Sequence, residues 1–316
     1  MHKVIFDTDP GVDDALALYY LHRHPQVDLL AITTVFGNAP VETTTRNALF
    51  LKDSWGIAAP VAMGAARPLA GPDEAHWPTH IHGRDGLGNI DAPEPAAQPD
   101  PRPAHQVIVD TIHAHPGEVT LVAVGRMTNL AQALRAAPDI AAQVKQVVVM
   151  GGAFAVPGNV TPAAEANLHG DALAADEVFG ASWPVVAVGL DVTRQVEMTR
   201  AELADLARQA GPEVALLRDL SQDYIAFYEA LNHRGMVVHD CCACVLVTDP
   251  DLFTRRTARI RVLTEGIGRG ATVAAPLDMR FPPGDWDSAP AQDYCTAIRA
   301  EAVHECITRL LSAREG

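Results

Sequence analysis

The stretch VIFDTDPGVDDALAL (residues 4–18) decides the fold. It opens with a short apolar run that is typical of a buried strand, and Pro10-Gly11 then turns the chain. From Val12 the pattern predicts a helix to about residue 24. Four aspartates lie within eight residues of this stretch: Asp7, Asp9, Asp13 and Asp14. A strand, a turn and a helix in this order begin a βα unit.

Five further apolar runs follow along the chain, at residues 27–36, 60–63, 118–125, 144–152 and 183–191. Each is continuously apolar rather than alternating, which is typical of parallel strands covered by helices on both faces. Helical patterns separate several of these runs. We therefore predict an α/β fold with a mostly parallel central sheet flanked by helices, Rossmann-like in type and forming one domain over residues 1–316.

The remaining segments differ in pattern. Residues 64–104 are rich in Pro, Gly and His and predict a long loop. Residues 200–232 are helical in pattern, RRTARIRVLTE (255–265) predicts a strand, and residues 295–313 predict a terminal helix. We expect an added helical C-terminal region.

The composition limits the partners of the protein. The 316 residues are 48% hydrophobic, and 24 Lys and Arg stand against 39 Asp and Glu, a formal net charge of -15. We expect no nucleic-acid partner, because affinity for a phosphate backbone depends on Lys and Arg. The apolar runs are too short to span a bilayer, so we expect no membrane partner. Asp7 interrupts any apolar core of a signal peptide, which favours a cytoplasmic location.

The five cysteines do not form a disulfide pattern. Cys241, Cys242 and Cys244 lie within four residues and the total is odd, so we expect reduced thiols. A cysteine metal site is the alternative, but CCAC has no second cysteine pair nearby. The role of this cluster stays open.

The aspartates of the opening stretch indicate a metal site. Asp13 and Asp14 begin a helix, where the helix dipole favours carboxylates, but helix capping accounts for only one or two of the four. Several carboxylates at one strand end repel each other unless a cation lies among them. A hard divalent ion with oxygen ligands is therefore predicted here.

Two familiar motifs do not fit this stretch. An EF-hand loop counted from Asp7 needs Gly at its sixth position and Glu at its twelfth, where this chain has Val12 and Leu18. VIFDTD resembles the start of haloacid-dehalogenase-type phosphatases, but Gly11 stands where that family has Thr or Val. The Asp13-Asp14 pair is also foreign to that family.

The string DTDPGVDDALAL (7–18) resembles the signature of the inosine/uridine-type nucleoside hydrolases. LLAITTVFGN, HIHGRDGLG, VVMGGAF with GNVTPAAEANLHGDALAA, and VHDCCA match the other blocks of that family in the same order. The resemblance covers essentially the whole chain. It implies hydrolysis of the N-glycosidic bond of ribonucleosides, one bound Ca²⁺ ion, a small-molecule ribonucleoside as the partner, and a homodimer or homotetramer.

The resemblance also assigns site residues. The implied calcium ligands are the side chains of Asp9, Asp14 and Asp240 and the backbone carbonyl of Val124. The implied ribose contacts are Asp13, Asn38, Asn159, Glu165 and Asn167. Amides and carboxylates suit hydroxyl groups that both donate and accept hydrogen bonds. Helix capping is a second interpretation of Asp240.

The catalytic assignments follow from the same match. Asp9 is the implied general base, His239 the implied acid for the leaving base, and His82 a second matching histidine. Tyr228, with Tyr224, is a candidate for the base pocket or a proton relay, and a core position explains this helical spacing equally well.

Some questions stay open at the level of sequence. Ala166 stands where one purine-preferring subgroup has an aromatic residue, which leaves a pyrimidine or a broad base preference. A non-catalytic calcium-dependent nucleoside- or ribose-binding protein is an alternative, and a haloacid-dehalogenase-like phosphatase is another. We expect Asp7 to support the loop through hydrogen bonds to backbone N–H groups rather than to bind calcium.

Overall fold

The computed structural model describes residues 1–70 and 77–313. Its strands, in chain order, are β1 His2–Thr8, β2 Val27–Thr34, β3 Val61–Met63, β4 Val119–Ala123, β5 Gln146–Met150, β6 Val185–Val188, β7 Glu197–Met198, β8 Met236–Val237, β9 Phe253–Val262, β10 Thr272–Pro276 and β11 Ala291–Ile298. Its α-helices are α1 Val12–Arg23, α2 Val41–Trp55, α3 Thr79–His82, α4 Ala104–Ala114, α5 Thr128–Ala136, α6 Ala166–Gly170, α7 Ala172–Gly180, α8 Leu190–Thr193, α9 Arg200–Ala210, α10 Pro212–Leu220, α11 Gln222–Ala230, α12 His239–Thr248 and α13 Ala300–Ser312.

The main sheet has nine strands in the order β10-β9-β11-β6-β5-β4-β1-β2-β3. The strands from β3 across to β11 run parallel, and β9 and β10 pair antiparallel at one edge. The prediction of a mostly parallel sheet flanked by helices is confirmed. All six apolar runs form strands of this parallel part, and the central strands β4, β5 and β6 are buried along almost their whole length.

The C-terminal end differs from prediction in one element. Residues 295–298, predicted as helix, belong to β11, and this part of the strand pairs with β9. Cys295 is fully buried in that pairing, and the helix begins only at Ala300. Tertiary pairing thus overrides a helical pattern here. The strand predicted at residues 255–265 is confirmed as β9.

Within the described residues of the predicted long loop at 64–104, one short helix, α3, forms before α4 begins at Ala104. His82 at the end of α3 is buried, although its segment reads as an exposed loop in the sequence. His76, in the same segment, lies outside the described residues. None of the described helices combines the length and the hydrophobicity needed to cross a membrane.

Helix α1 lies at the centre of the fold. Every residue from Val12 to Leu21 is buried, because the helix packs between the sheet and α12. The cysteines of α12 are buried in the same apolar core. Among the described side chains, the one group placed to hold a metal contains no cysteine. The burial of α1 keeps Asp13 and Asp14, which lie in its first turn, away from bulk water.

Asp7 joins three elements below the strand ends. One of its carboxylate oxygens accepts hydrogen bonds from the Thr33 hydroxyl at 2.6 Å and from the Asn129 amide at 2.8 Å. Asn129 also donates to the Thr34 carbonyl and accepts from the Ala65 backbone N–H. The expectation that Asp7 would bind backbone N–H groups is wrong, because its partners are side chains. Asp7 ties β1 to β2 and to the start of α5.

Loss of this network should destabilise the fold. Thr33→Val keeps the shape of the side chain but removes a donor to a buried carboxylate, so we expect a loss of about 1–3 kcal/mol in the free energy of unfolding. Urea unfolding measures it. Thr257→Val is the matched control, because the Thr257 hydroxyl donates to Asp293 at 2.6 Å on the exposed surface. Equal losses in the two variants would contradict the importance of the buried network.

Candidate active site

A cavity of about 120 Å³ lies at the carboxyl ends of the central parallel strands. This is where open α/β sheets bind ligands, because loops from several strands meet there. Most of the predicted site residues line it: Asp13, Asn38, His82, Val124, Asn159, Glu165, Asn167, Tyr228, His239 and Asp240. Asp9 lines an adjoining cavity of about 630 Å³ that shares Asn38, Asn159 and Asn167 with the first.

Three buried carboxylates form a tight group in this site. Asp13, Asp14 and Asp240 each offer an oxygen, and these oxygens lie within 4.8 Å of one another. The family resemblance implies that Asp13 contacts the ribose only. The fold places it in the same group as Asp14 and Asp240, two of the predicted calcium ligands. Asp9 lies outside this group. We call Asp13, Asp14 and Asp240 the carboxylate trio.

The electrostatics of the trio fit a bound cation. Burial raises the pKa of all three carboxyl groups. The charge of Asp14 raises the pKa of Asp13 further, and the charge of Asp13 does the same to Asp240. Such a group keeps its negative charge only where a positive charge lies among its oxygens. Its donors are hard oxygens, which suit a divalent metal ion.

Asp14 is held in place by four donors. One oxygen accepts from the Thr8 hydroxyl at 2.6 Å and from the Asp9 backbone N–H at 3.2 Å. The other accepts from the Gly11 N–H and the Asn38 amide, both at 2.9 Å. The turn at Pro10-Gly11 and the first turn of α1 therefore orient the Asp14 carboxylate.

Asp9 occupies a cradle formed by two glycines. Its carboxylate accepts the Asn38 backbone N–H at 2.8 Å. A Cβ atom on Gly37 would overlap one carboxylate oxygen of Asp9, and a Cβ on Gly125 would lie 2.6 Å from the other. Burial, and then the charge of Asp14, raise the pKa of Asp9, whereas Arg126 lowers it. Backbone thus packs closely against both oxygens and fixes the position of this carboxylate.

His239 is part of a hydrogen-bond chain. Its Nδ1 lies 2.7 Å from the Thr193 hydroxyl, and its Nε2 lies 2.9 Å from the Tyr228 hydroxyl. Burial lowers the pKa of His239 to about 3, so the neutral ring is favoured. The Tyr228 ring also makes an edge contact with Tyr224. A proton can pass between His239 and the cavity through hydroxyl groups.

His82 is fixed by the start of α1. Its Nδ1 accepts the Val12 backbone N–H at 3.2 Å, which leaves the proton of the neutral ring on Nε2. Burial lowers the pKa of His82 to about 3. Tyr224 lies beside it, with the two ring centres 5.1 Å apart. His82 is therefore an oriented neutral donor on the cavity wall.

The loop before α6 supplies the other polar side chains. The Glu165 carboxylate accepts N–H groups of Asn167, Leu168 and Gly152 and so caps α6. The Asn167 amide donates to the Val124 carbonyl at 2.7 Å. Asn159 is exposed, and its side-chain oxygen accepts the Ala166 N–H at 3.0 Å. These contacts thus bring together Asn159, Glu165 and Asn167 in one wall of the smaller cavity. The sequence resemblance predicted all three as ribose contacts.

Comparisons with known proteins agree with this geometry. Residues 4–305 match the sequence profile of the family described as inosine-uridine preferring nucleoside hydrolase. The chain belongs to this nucleoside hydrolase family. It is 38% identical over 308 residues to a probable uridine nucleosidase 2 of Arabidopsis thaliana, covering 96% of each chain. It is 41% identical over 284 residues to an inosine-uridine preferring nucleoside hydrolase of Leishmania major, covering 89% of this chain and 88% of that one.

The fold of this nucleoside hydrolase is also similar to a solved plant nucleoside hydrolase. The TM-score is 0.95 at 36% identity, and 99% of each chain is covered. The protein is therefore an enzyme of a family that hydrolyses ribonucleosides. The local similarity of VIFDTD to haloacid-dehalogenase-type phosphatases ends with the first strand.

Two side chains of the site were missed by sequence analysis. Thr193 contacts His239, and no pattern in its segment points to that role. Arg126 follows β4 in the segment GRMTN and lines the larger cavity. Its position after a predicted strand indicates a residue near the site, but no known motif surrounds this arginine.

The glycine cradle of Asp9 predicts a selective loss of turnover. In Gly37→Ala the new methyl group displaces the Asp9 carboxylate, and we expect kcat for ribonucleosides to fall about 100-fold, since small displacements in a site can cost that much. Gly180→Ala is the control, because nothing lies within 4 Å of a Cβ at that position. Steady-state kinetics measures both variants. A Gly37→Ala enzyme with normal kcat would show that the position of Asp9 does not limit turnover.

Proposed function

We propose that this nucleoside hydrolase cleaves the N-glycosidic bond of ribonucleosides to free base and ribose by direct attack of water, with Asp9 as the general base. The observation that carries this proposal is the fixed position of Asp9, which lines the larger cavity and whose carboxylate lies against Gly37 and Gly125. A base needs a carboxylate that is fixed, faces the substrate cavity and has an oxygen free to take a proton. No covalent sugar–enzyme intermediate is needed, because each of the other carboxylates has a separate binding task.

We infer that the metal ion is Ca²⁺, with Asp9, Asp14 and Asp240 and the Val124 carbonyl as ligands. The trio supports this choice, because calcium accepts several carboxylate oxygens in a flexible shell. Asp13 lies close enough to the same oxygens to be added to the set. The Val124 carbonyl accepts one hydrogen bond from Asn167 and keeps its second lone pair. A bound calcium ion supplies positive charge that orients the ribose hydroxyls and lowers the pKa of a water molecule.

The ribose would lie against the polar wall of the smaller cavity. Asp13, Asn38, Asn159, Glu165 and Asn167 are the proposed contacts, and all five line that cavity. Their oxygens and amides match the donors and acceptors of ribose hydroxyls. The concentrated negative charge also stabilises the oxocarbenium character that develops as the glycosidic bond breaks.

The leaving base would receive a proton or a hydrogen bond from the opposite wall. His239 is the proposed acid, acting through the Tyr228 hydroxyl at 2.9 Å from its Nε2. His82 presents its Nε2 proton as a second donor. A neutral imidazole relays a proton by giving it from one nitrogen and receiving another at the second, and Thr193 at 2.7 Å from Nδ1 supports such a relay.

The base preference is proposed to include uridine. Ala166 is exposed at the cavity wall and offers no ring to stack on a purine. The relatives named as a uridine nucleosidase and as an inosine-uridine preferring hydrolase support a pyrimidine or a broad preference.

We further infer that residues 1–316 form one domain. The nine-stranded sheet supports this inference, because it draws strands from His2 to Ile298. We also propose a cytoplasmic enzyme that acts as a homodimer or homotetramer.

Two aspartate variants separate catalysis from metal binding. Asp9→Asn should retain the fold and calcium binding and lower kcat on the order of 10²- to 10⁴-fold, because it removes the general base. Asp240→Asn is the matched variant, and it should weaken calcium binding more than Asp9→Asn does. Ribose release from uridine, cytidine and inosine measures turnover, and calorimetric titration measures calcium affinity. Near-normal turnover in Asp9→Asn would refute the base assignment, and substrate binding without ribose release by the unaltered protein would favour the non-catalytic alternative.

The acid role of His239 can be tested through the leaving group. His239→Ala should lower kcat on uridine on the order of 10²- to 10⁴-fold. It should have little effect on p-nitrophenyl riboside, because p-nitrophenolate leaves without a proton. Tyr228→Phe should show the same contrast if its hydroxyl relays the proton. Equal losses on both substrates would mean that His239 orients the ribose rather than protonating the base.

A further inference from the structure

Arg126 is the single buried Lys or Arg within residues 1–70 and 77–313 of this acidic chain. Its exposed fraction is 8%. A buried guanidinium is costly unless opposite charge or hydrogen bonds compensate it, so such residues are rare in protein interiors. The position of Arg126 therefore needs a physical explanation, and its neighbours supply one.

Two contacts clamp the Arg126 side chain. Its guanidinium carbon lies 4.5 Å from the centre of the Phe36 ring, which is within range of a cation–π interaction. Its stem and Nε pack against Gly170, where a Cβ atom would overlap them. An aromatic face on one side and bare backbone on the other leave the guanidinium little freedom to move.

The clamp holds Arg126 at the cavity that Asp9 also lines. Strands β1 and β4 pair in parallel with Asp7 opposite Ala123, so Asp9 and Arg126 leave neighbouring strand ends. Both side chains line the cavity of about 630 Å³. The Phe36 ring under the guanidinium is followed by Gly37, where a Cβ atom would overlap a carboxylate oxygen of Asp9. The charge of Arg126 also lowers the pKa of Asp9.

The carboxylate trio lies in a different environment. The leading influences on the pKa of Asp13 and Asp240 are burial and neighbouring carboxylates, and on that of Asp14 burial and hydrogen bonds. Arg126 is not among them. Among the four buried aspartates of the cavity, Asp9 is therefore the one on which the charge of Arg126 acts.

We propose that Arg126 is a positioning residue, whose clamped guanidinium holds the carboxylate of Asp9 in place at the active site. This inference rests on the proposed role of Asp9 as the base. Arg126 acts on that carboxylate and does not touch the reacting atoms. Loss of the Arg126 guanidinium should leave the carboxylate trio and the proposed ribose contacts in place. We therefore expect kcat to fall more than the affinity for substrate or metal.

The test compares Arg126→Met, which keeps the stem and removes the charge, with Arg126→Lys, which keeps a positive charge. We expect Arg126→Met to lower kcat for uridine on the order of 10- to 100-fold, since misplacement of a catalytic group has that cost. KM and calcium affinity should change less than about 3-fold, and Arg126→Lys should restore part of kcat, since an ammonium keeps the charge but not the planar fork. Arg135→Met is the control, because Arg135 pairs with Glu177 on the surface.

A double-mutant cycle separates this inference from the proposed function. If Arg126 acts through Asp9, Arg126→Met should lower kcat less than about 3-fold in the Asp9→Asn background, because coupled residues do not add. A full additional loss there would overturn the inference and leave the base assignment intact. Normal turnover in Asp9→Asn would overturn the base assignment, and the inference with it.

Other outcomes are also decisive. The inference fails if Arg126→Met has normal kcat, if Arg126→Lys is as slow as Arg126→Met, or if kcat falls only in parallel with calcium affinity and thermal stability. Gly170→Ala provides a second route if Arg126→Met does not fold, because its methyl group displaces the guanidinium without removing it. That variant should lower kcat with little change in calcium affinity, and an unchanged kcat would refute the inference.

Discussion

The repulsion among buried carboxylates is the constraint on which this active site depends. Asp7, Asp9, Asp13, Asp14, Glu165 and Asp240 are all buried near the ends of the central strands. Burial raises the pKa of each of them, and each must find compensation or lose its charge. The fold meets this demand by different means at different positions. Hydroxyl, amide and backbone donors hold Asp7, Asp14 and Glu165, whereas the trio is arranged around a place for a cation.

The burial of α1 explains why the constraint is met at this place. A helix enclosed by the sheet and by α12 cannot turn its first polar residues to bulk water, so Asp13 and Asp14 face the strand ends. The first residues of α12 bring His239 and Asp240 to the same place from the other end of the chain. Packing of two apolar helices therefore converts separate sequence motifs into one acidic cavity. The apolar core is thus a condition for the chemistry of the site as well as for stability.

Sequence patterns predicted the parallel sheet because six of its strands, β1 to β6, lie in apolar runs, a signal that does not depend on distant residues. They failed at residues 295–298, where pairing with β9 decides the structure and the local pattern does not. Ordered motifs brought distant residues such as Asn38 and Asn167 into one predicted site. The fixed position of the Asp9 carboxylate was not predictable, because it depends on the backbone at Gly37 and Gly125. The role of Thr193 depends likewise on a contact with a histidine 46 residues away.

The two glycines that contact Asp9 explain how one of several crowded aspartates can act as a base. A carboxylate that is shared fully with a metal ion is a poor proton acceptor, whereas one that is free in water has no fixed direction. Asp9 avoids both extremes, because Gly37 and Gly125 hold its oxygens against backbone and the Asn38 N–H fixes one of them. Side chains at either glycine would push it toward the trio or out of the cavity. The absence of two Cβ atoms therefore fixes the direction of the carboxylate that is proposed as the base.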